Sequence, residues 1–239
     1  MAERKIPKSI TPCPIKSASI EFRFNSSLKD ENIRQILFTT LRENITNIGN
    51  VAHRSSNESN AIEFTSRINL FCDSIVVGYA KNSLLFETVH DYPLWDDFYR
   101  FVSESLIKLS DSFKIERLTR VGLRYINFFD HSQKLEDIVN FRHTIGDTEQ
   151  KFTNYLLKSE QVVSGKKVVI TLTDNATFQK EELIEKGSVL DIDIVAVGDL
   201  PSRFDDSLLK IIQEAHKVEN QIFFNMLTEA YYASLTKEF

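Results

Sequence analysis

Apolar and polar residues alternate from Ile15 to Phe24, with Ala18, Ile20, Phe22 and Phe24 on one side and Ser17, Ser19, Glu21 and Arg23 on the other. A period of two is that of a strand with one buried face. After Lys29–Asp30 the period changes. Ile33, Ile36, Leu37, Thr40 and Leu41 recur at helical spacing, which predicts a helix ending near Asn47–Gly49. The stretch from Asn50 to Asn60 holds Ser55, Ser56, Asn57, Ser59 and Asn60 and reads as an exposed loop. Three strands are expected next, over 61–72, 74–80 and 83–90, joined by turns at Asp73 and at Lys81–Asn82. The second of these is a two-residue polar connection of the hairpin kind. Beyond Pro93, helical spacing returns from Leu94 to Phe113, with Trp95, Phe98, Phe101, Val102, Leu106 and Leu109 on the apolar side.

From Lys114 the order repeats with different filling. A long strand is predicted over 115–129, a short helical segment over 135–141, and strands over 152–159, 167–173 and 189–197. Ser164-Gly165 turns the first pair, and the residues in the 180s form a longer excursion before Gly187. The final segment, from Asp205 to about Thr236, reads as one long helix striped by Leu208, Ile211, Ile212, Ala215, Val218, Ile222, Met226 and Ala230. The predicted layout is therefore strand, helix, three strands, helix, twice over. It implies an α+β fold of antiparallel sheets with helices on one face, divided into halves at 1–113 and 114–239 that pack as one structural unit. Phe22-Arg23-Phe24 and Leu123-Arg124-Tyr125 echo each other at the openings of the two halves, a short echo that fits a duplicated unit without establishing one.

Composition narrows the chemistry. The 239 residues carry 29 Lys and Arg against 34 Asp and Glu, a net charge of −5, with 42% hydrophobic residues and 18 Phe. That balance suits a folded, sheet-rich chain and disfavours nucleic acid as a partner. No run reaches the roughly 18 apolar residues of a membrane span, and the first residues lack the apolar core of a secretory signal. A cytoplasmic protein without membrane attachment is expected, with Cys13 and Cys72 reduced. Glycine-rich phosphate loops, nucleophile elbows and clustered metal ligands are absent from the sequence. No cofactor or metal is expected.

The best candidate site is built from arginines and carboxylates. In an extended tract Arg120, Gly122 and Arg124 share a face, while Val121, Leu123, Tyr125 and Asn127 take the other. Glu21 and Arg23 lie on the polar face of the opening strand, and Asp191 and Asp193 on that of the strand over 189–197. Arginine's planar fork grips carboxylate or phosphate with two parallel bonds, and Gly122 leaves room for a ligand's approach. The same residues also suit a structural salt-bridge network. A weaker lead is His216 with Glu219, three apart on the last helix. That spacing serves a metal or a proton shuttle, or a surface or boundary pair that merely supports the helix.

Several tracts together resemble a sporadically distributed prokaryotic protein family of similar length for which no activity is established. They are Pro14-Ile15 with Ile20-Glu21-Phe22-Arg23-Phe24, Arg120-Val121-Gly122-Leu123-Arg124-Tyr125-Ile126-Asn127, Leu190-Asp191-Ile192-Asp193, and Ala215-His216 onward to Phe223. The resemblance spans nearly the whole chain and is most specific in Gly-Leu-Arg-Tyr-Ile-Asn. It implies a single unit with accessory-gene distribution and assigns no catalytic residue. The expected function is a non-enzymatic module that binds a protein partner or a small anion. The alternatives are an enzyme or small-anion sensor built on the Arg and carboxylate cluster, or a protein that self-associates into a homo-oligomer.

Overall fold

Runs of alternating side chains, closed by tight polar turns, shape most of the chain. The computed structural model describes residues 4–56, 62–89, 91–141, 144–145, 148–149, 154–180 and 183–239. The elements begin with β1 (Ser9–Thr11), β2 (Ile15–Asn25), α1 (Asp30–Leu41), a 3-10 turn over Arg42–Asn44, β3 (Asn47–Ser56), β4 (Ile62–Cys72), β5 (Ile75–Ala80), β6 (Ser83–Thr88) and α2 (Trp95–Leu109). They continue with β7 (Arg117–Asp130), α3 (Leu135–Ile138), β8 (Thr144–Ile145), β9 (Thr148–Glu149), β10 (Leu156–Val163), β11 (Lys166–Lys180), β12 (Leu183–Ala196), α4 (Asp206–Met226), α5 (Glu229–Ser234) and β13 (Thr236–Glu238). This is an α+β fold with antiparallel sheets. The chain divides into two compact units, a larger one of Ser17–Leu123 with Val195–Glu214, and a smaller one of the residues up to Lys16, Arg124–Ile194 and Ala215–Phe239.

In the larger unit the strand order is β7 (its first half), β2, β6, β5, β4, β3. Lys81 and Asn82 both take positive φ, 39° and 62°, as a two-residue turn between right-twisted strands demands. The pairing that follows is antiparallel and in step, with Ala80 opposite Ser83 and Gly78 opposite Leu85. Alternation buries Ala18, Ile20, Phe22 and Phe24 of β2 together with Leu84 and Phe86 of β6. Onto that face come the apolar stripes of α1 (Ile33, Leu37, Leu41) and α2 (Phe98, Val102, Leu106, Leu109). The Phe86 ring meets Phe101 edge-on at 6.3 Å and Phe22 at 6.1 Å, and the Tyr79 hydroxyl donates to Asp30 at 2.6 Å. Each such aromatic contributes about 1.5–3 kcal/mol by burial.

In the smaller unit the order is β7 (its second half), β12, β11, β10. Ser164 and Gly165, both at positive φ, close the β10–β11 hairpin. Gly187 of β12 is held to glycine by contact, because a Cβ there would lie 2.1 Å from the Phe129 carbonyl oxygen. Leu190, Ile192 and Ile194 are buried, which leaves Asp191 and Asp193 on the opposite face. The two units repeat one pairing scheme. The opening strand (β2 or β7) pairs with the last strand of its meander (β6 or β12), with a helix following the opening strand and another following the meander.

Three expectations are corrected. Asn50–Ser56 is not a loop but part of β3, paired with β4 along its length. Polar residues suit a strand whose groups are satisfied by a ladder, and composition alone misread them; residues 57–61 lie outside those described. The excursion in the 180s is instead strand on either side, with β11 reaching Lys180 and β12 starting at Leu183. The last helix breaks in two. Arg4 donates to the Phe224 and Leu227 carbonyls at 2.6 and 2.8 Å, and the Ile138 carbonyl accepts from the Thr228 amide. Thr228 then caps α5 by accepting from the Tyr231 amide. With the Phe224 and Leu227 carbonyls taken by Arg4, the Met226 carbonyl by the Asn140 amide, and a new cap supplied, the helix stops without Gly or Pro.

Candidate functional site

β2 and β7 in the larger unit bring together Glu21, Arg23 and Arg120. Glu21 Oε1 accepts from Arg23 Nε at 3.0 Å and from the Ser83 hydroxyl at 2.8 Å, while Oε2 pairs with Arg120 Nη1. Burial alone would raise the Glu21 carboxyl. The bonds from Arg23 and Ser83 and the charge of Arg120 outweigh it and hold the group below the usual carboxylate range. The Arg120 guanidinium lies across Gly122, its atoms 2.7–2.8 Å from where a Cβ would stand. Gly122 thus accommodates the chain's own arginine. Two cations share one ionised carboxylate, and the Arg23 side chain is 57% exposed.

The polar face continues across the sheet in register. Arg23 is opposite Ser83, Ser83 opposite Ala80, and Glu21, Leu85, Gly78 and Asn69 form the next row. Arg67 lies over Gly78, its Cδ 3.0 Å from the Cβ position, and its Nη2 is 3.8 Å from Glu87. Among the described residues, the buried atoms Arg67 Nε and Asn69 Oδ1 have no hydrogen-bond partner.

In the smaller unit Arg124 of β7 meets Asp191 of β12 in a two-bond fork, Nε to Oδ1 at 2.8 Å and Nη2 to Oδ2 at 2.7 Å. This is the planar geometry that makes arginine irreplaceable by lysine. The Arg124 side chain remains 50% exposed. Asp193 sits two residues along β12 and is half-buried. The sequence-derived cluster is thus described as two sets, Glu21, Arg23, Arg120 and Gly122 in one unit and Arg124, Asp191 and Asp193 in the other.

The surface placement of Glu219 is corrected: it is buried, 3% exposed. Burial pushes its carboxyl up to about 8. His216 on the same helix is lowered to about 3, also by burial. Its Nδ1 lies 3.2 Å from the Tyr125 hydroxyl and its Nε2 is 2.9 Å from Asn220 Nδ2. With the Asn220 amide donating to Nε2, Nδ1 carries the proton and donates to Tyr125. A neutral imidazole held from both sides is a fixed core element. Tyr125 and Asn220 were missed in the sequence, although Asn220 stands four residues beyond His216, a spacing that places side chains together on a helix.

Other chemistry is thinly represented. A cleft of about 200 Å³ in the larger unit opens beside Cys72, Asp73, Asp97 and Phe101, and none of the cluster residues lines it. The Cys72 thiol is pushed up to about 11 by burial and by the Asp73 charge, which keeps it protonated at neutral pH. Neither cysteine is in a disulfide. Among the described residues no group of His, Cys, Asp and Glu suits a metal ion, and no helix is long and apolar enough to cross a membrane. No protein-family model and no curated protein matches the chain.

Proposed function

We propose that the chain is a non-enzymatic binding module whose recognition surface is the arginine-bearing sheet face, and that it takes a protein partner presenting carboxylates. The observation that carries this reading is the Arg23–Glu21–Arg120 trio, in which one carboxylate positions two guanidiniums and the Arg23 side chain stands more than half in solvent. An ionised Glu21 is unsuited to act as a general acid, and its pairing to both arginines leaves it little basicity. The resemblance carried by Arg120–Asn127 agrees with an accessory role, and we read the chain as a protein of that kind. A second reading, a small-anion sensor, is favoured by the exposure of the Arg23 guanidinium on the same face.

The test is a pull-down from native lysate with wild type, Arg23→Ala and Arg124→Ala, each first checked for folding by circular dichroism. A specific protein retained by wild type and lost with Arg23→Ala supports the module and places its contact on the larger unit; loss with Arg124→Ala alone moves the contact to the smaller one. A partner held equally by both folded variants overturns the arginine reading. Calorimetric titration with phosphate and citrate covers the sensor, for which saturable heat absent from Arg23→Ala is expected.

A further inference from the structure

β10 ends the strand order of its unit, and among the described residues β11 is its one pairing partner. All eight of its residues are exposed or half-buried, including Leu156 at 67% and Val162 at 75%. A long edge strand with apolar residues is a template for another strand unless its charges forbid it. The charges here do the reverse. The Asp174 amide donates to the Tyr155 carbonyl, and the β10–β11 register continues from that pair without a break. Every second residue from Tyr155 therefore directs its main-chain groups toward β11, and Leu156, Lys158, Glu160 and Val162 direct theirs outward.

We propose that β10 pairs antiparallel with β10 of a second copy of this chain, about a two-fold axis at Ser159. A two-fold axis perpendicular to a sheet keeps each side chain on its own face, so only registers centred on a residue are permitted. Centring on Ser159 sets Lys158 against Glu160 of the second copy and Leu156 against its Val162, with Leu157 against Gln161. The hydrogen-bonded pairs are then those whose amides and carbonyls already point outward. Opposite charges and apolar neighbours each stabilise such cross-strand pairs. Centring one residue further on sets Glu160 against itself and Lys158 against Val162, which like-charge repulsion disfavours. Within its own chain Glu160 already accepts from Lys167 at 2.7 Å, so Lys158 of the second copy completes an alternating row of charge. This inference concerns the smaller unit and does not depend on the arginine face of the larger one.

Sedimentation equilibrium across a hundred-fold range of concentration tests it, with folding followed by circular dichroism. Wild type should dimerise. Lys158→Glu and Glu160→Lys should each weaken association at least ten-fold by placing like charges together. The double swap should restore it, and an equimolar mixture of the two single variants should form mixed dimers, because opposite charges face each other again. Salt should weaken every dimer. A folded wild type that stays monomeric overturns the proposal, as does a dimer that both single variants keep unchanged.

Discussion

Replacing Glu219 by Gln should flatten the alkaline side of the stability profile. In the folded chain burial carries the Glu219 carboxyl from 4.5 up to about 8, whereas in the unfolded chain it titrates at its ordinary value. Between those values the folded state holds a proton that the unfolded state releases. Stability from this group is thus present below pH 4.5 and is lost as pH rises toward 8. Each pH unit of displacement is worth about 1.4 kcal/mol, and the part falling between pH 6.5 and 9 comes to about 2 kcal/mol.

His216 acts with the opposite sign. Burial lowers it from 6.5 to about 3, so the unfolded chain takes up a proton that the folded chain refuses. Its contribution is complete above pH 6.5 and is lost as pH falls toward 3. The two groups offset each other between pH 4.5 and 6.5, which is why the informative window lies higher. Urea denaturation at intervals from pH 6.5 to 9 should show the wild type losing about 2 kcal/mol relative to Glu219→Gln. Gln keeps the length and polarity of the side chain and does not titrate, so the difference between the two curves isolates the carboxyl. Parallel curves across that window would refute the reasoning, for they would mean that Glu219 is ionised in the folded chain at neutral pH.

Substitutions at three further positions probe the frame. Tyr125→Phe removes the hydroxyl from His216 Nδ1 and should cost about 1–3 kcal/mol in urea denaturation, the penalty for leaving a buried polar group unpaired. Gly187→Ala forces a methyl group against the Phe129 carbonyl and the Phe128 ring, 2.1 and 2.6 Å away, and should lower stability by about 1–3 kcal/mol or more in a thermal melt. Asp205→Ala deletes the carboxylate that accepts from the Ser207 and Leu208 amides at 3.0 and 3.2 Å, for an expected loss of about 1 kcal/mol. The hydrogen bond from the Ser207 hydroxyl, aided by those amides, holds the Asp205 carboxyl low. Its share of stability is therefore present above the ordinary carboxylate range and lost as pH falls through the lowered value, a dependence that Asp205→Asn should abolish.

Periodicity made the strands legible wherever one face is buried. The alternation in Ile15–Phe24 returned as β2, and Lys81–Asn82 returned as the turn predicted for it, since both signals are local and backbone-level. β3 escaped because an edge strand need bury nothing, and its serines and asparagines read as loop until β4 is alongside. The break between α4 and α5 escaped for a different reason. The groups that satisfy its carbonyls include Arg4, more than two hundred positions away in sequence, and the stripe of apolar residues runs through the break uninterrupted. Strand period sets the outward face of Glu21, Arg23, Arg120, Arg124, Asp191 and Asp193, whereas Glu219 on α4 is buried against the expectation for it. Which carboxylate meets which arginine depends on strand neighbours, and a single sequence does not encode those locally.

Glycine and arginine share one physical logic on the larger unit's polar face. The Arg120 guanidinium lies flat on Gly122, two residues along the same strand, and Arg67 lies over Gly78 of the neighbouring strand. A flexible side chain normally loses about 0.5–1.5 kcal/mol of rotamer freedom on being fixed at an interface. Here the loss occurs on folding, since Glu21 and the bare glycine already hold Arg120 in place. An incoming carboxylate would meet guanidiniums that no longer need ordering. Lysine at position 120 would keep the charge but lose the plane that fits the glycine floor, and Arg120→Lys should weaken partner binding even with the fold intact. Undiminished binding by a folded Arg120→Lys variant would mean that charge alone suffices there, and that the glycines serve the arginines' packing rather than recognition.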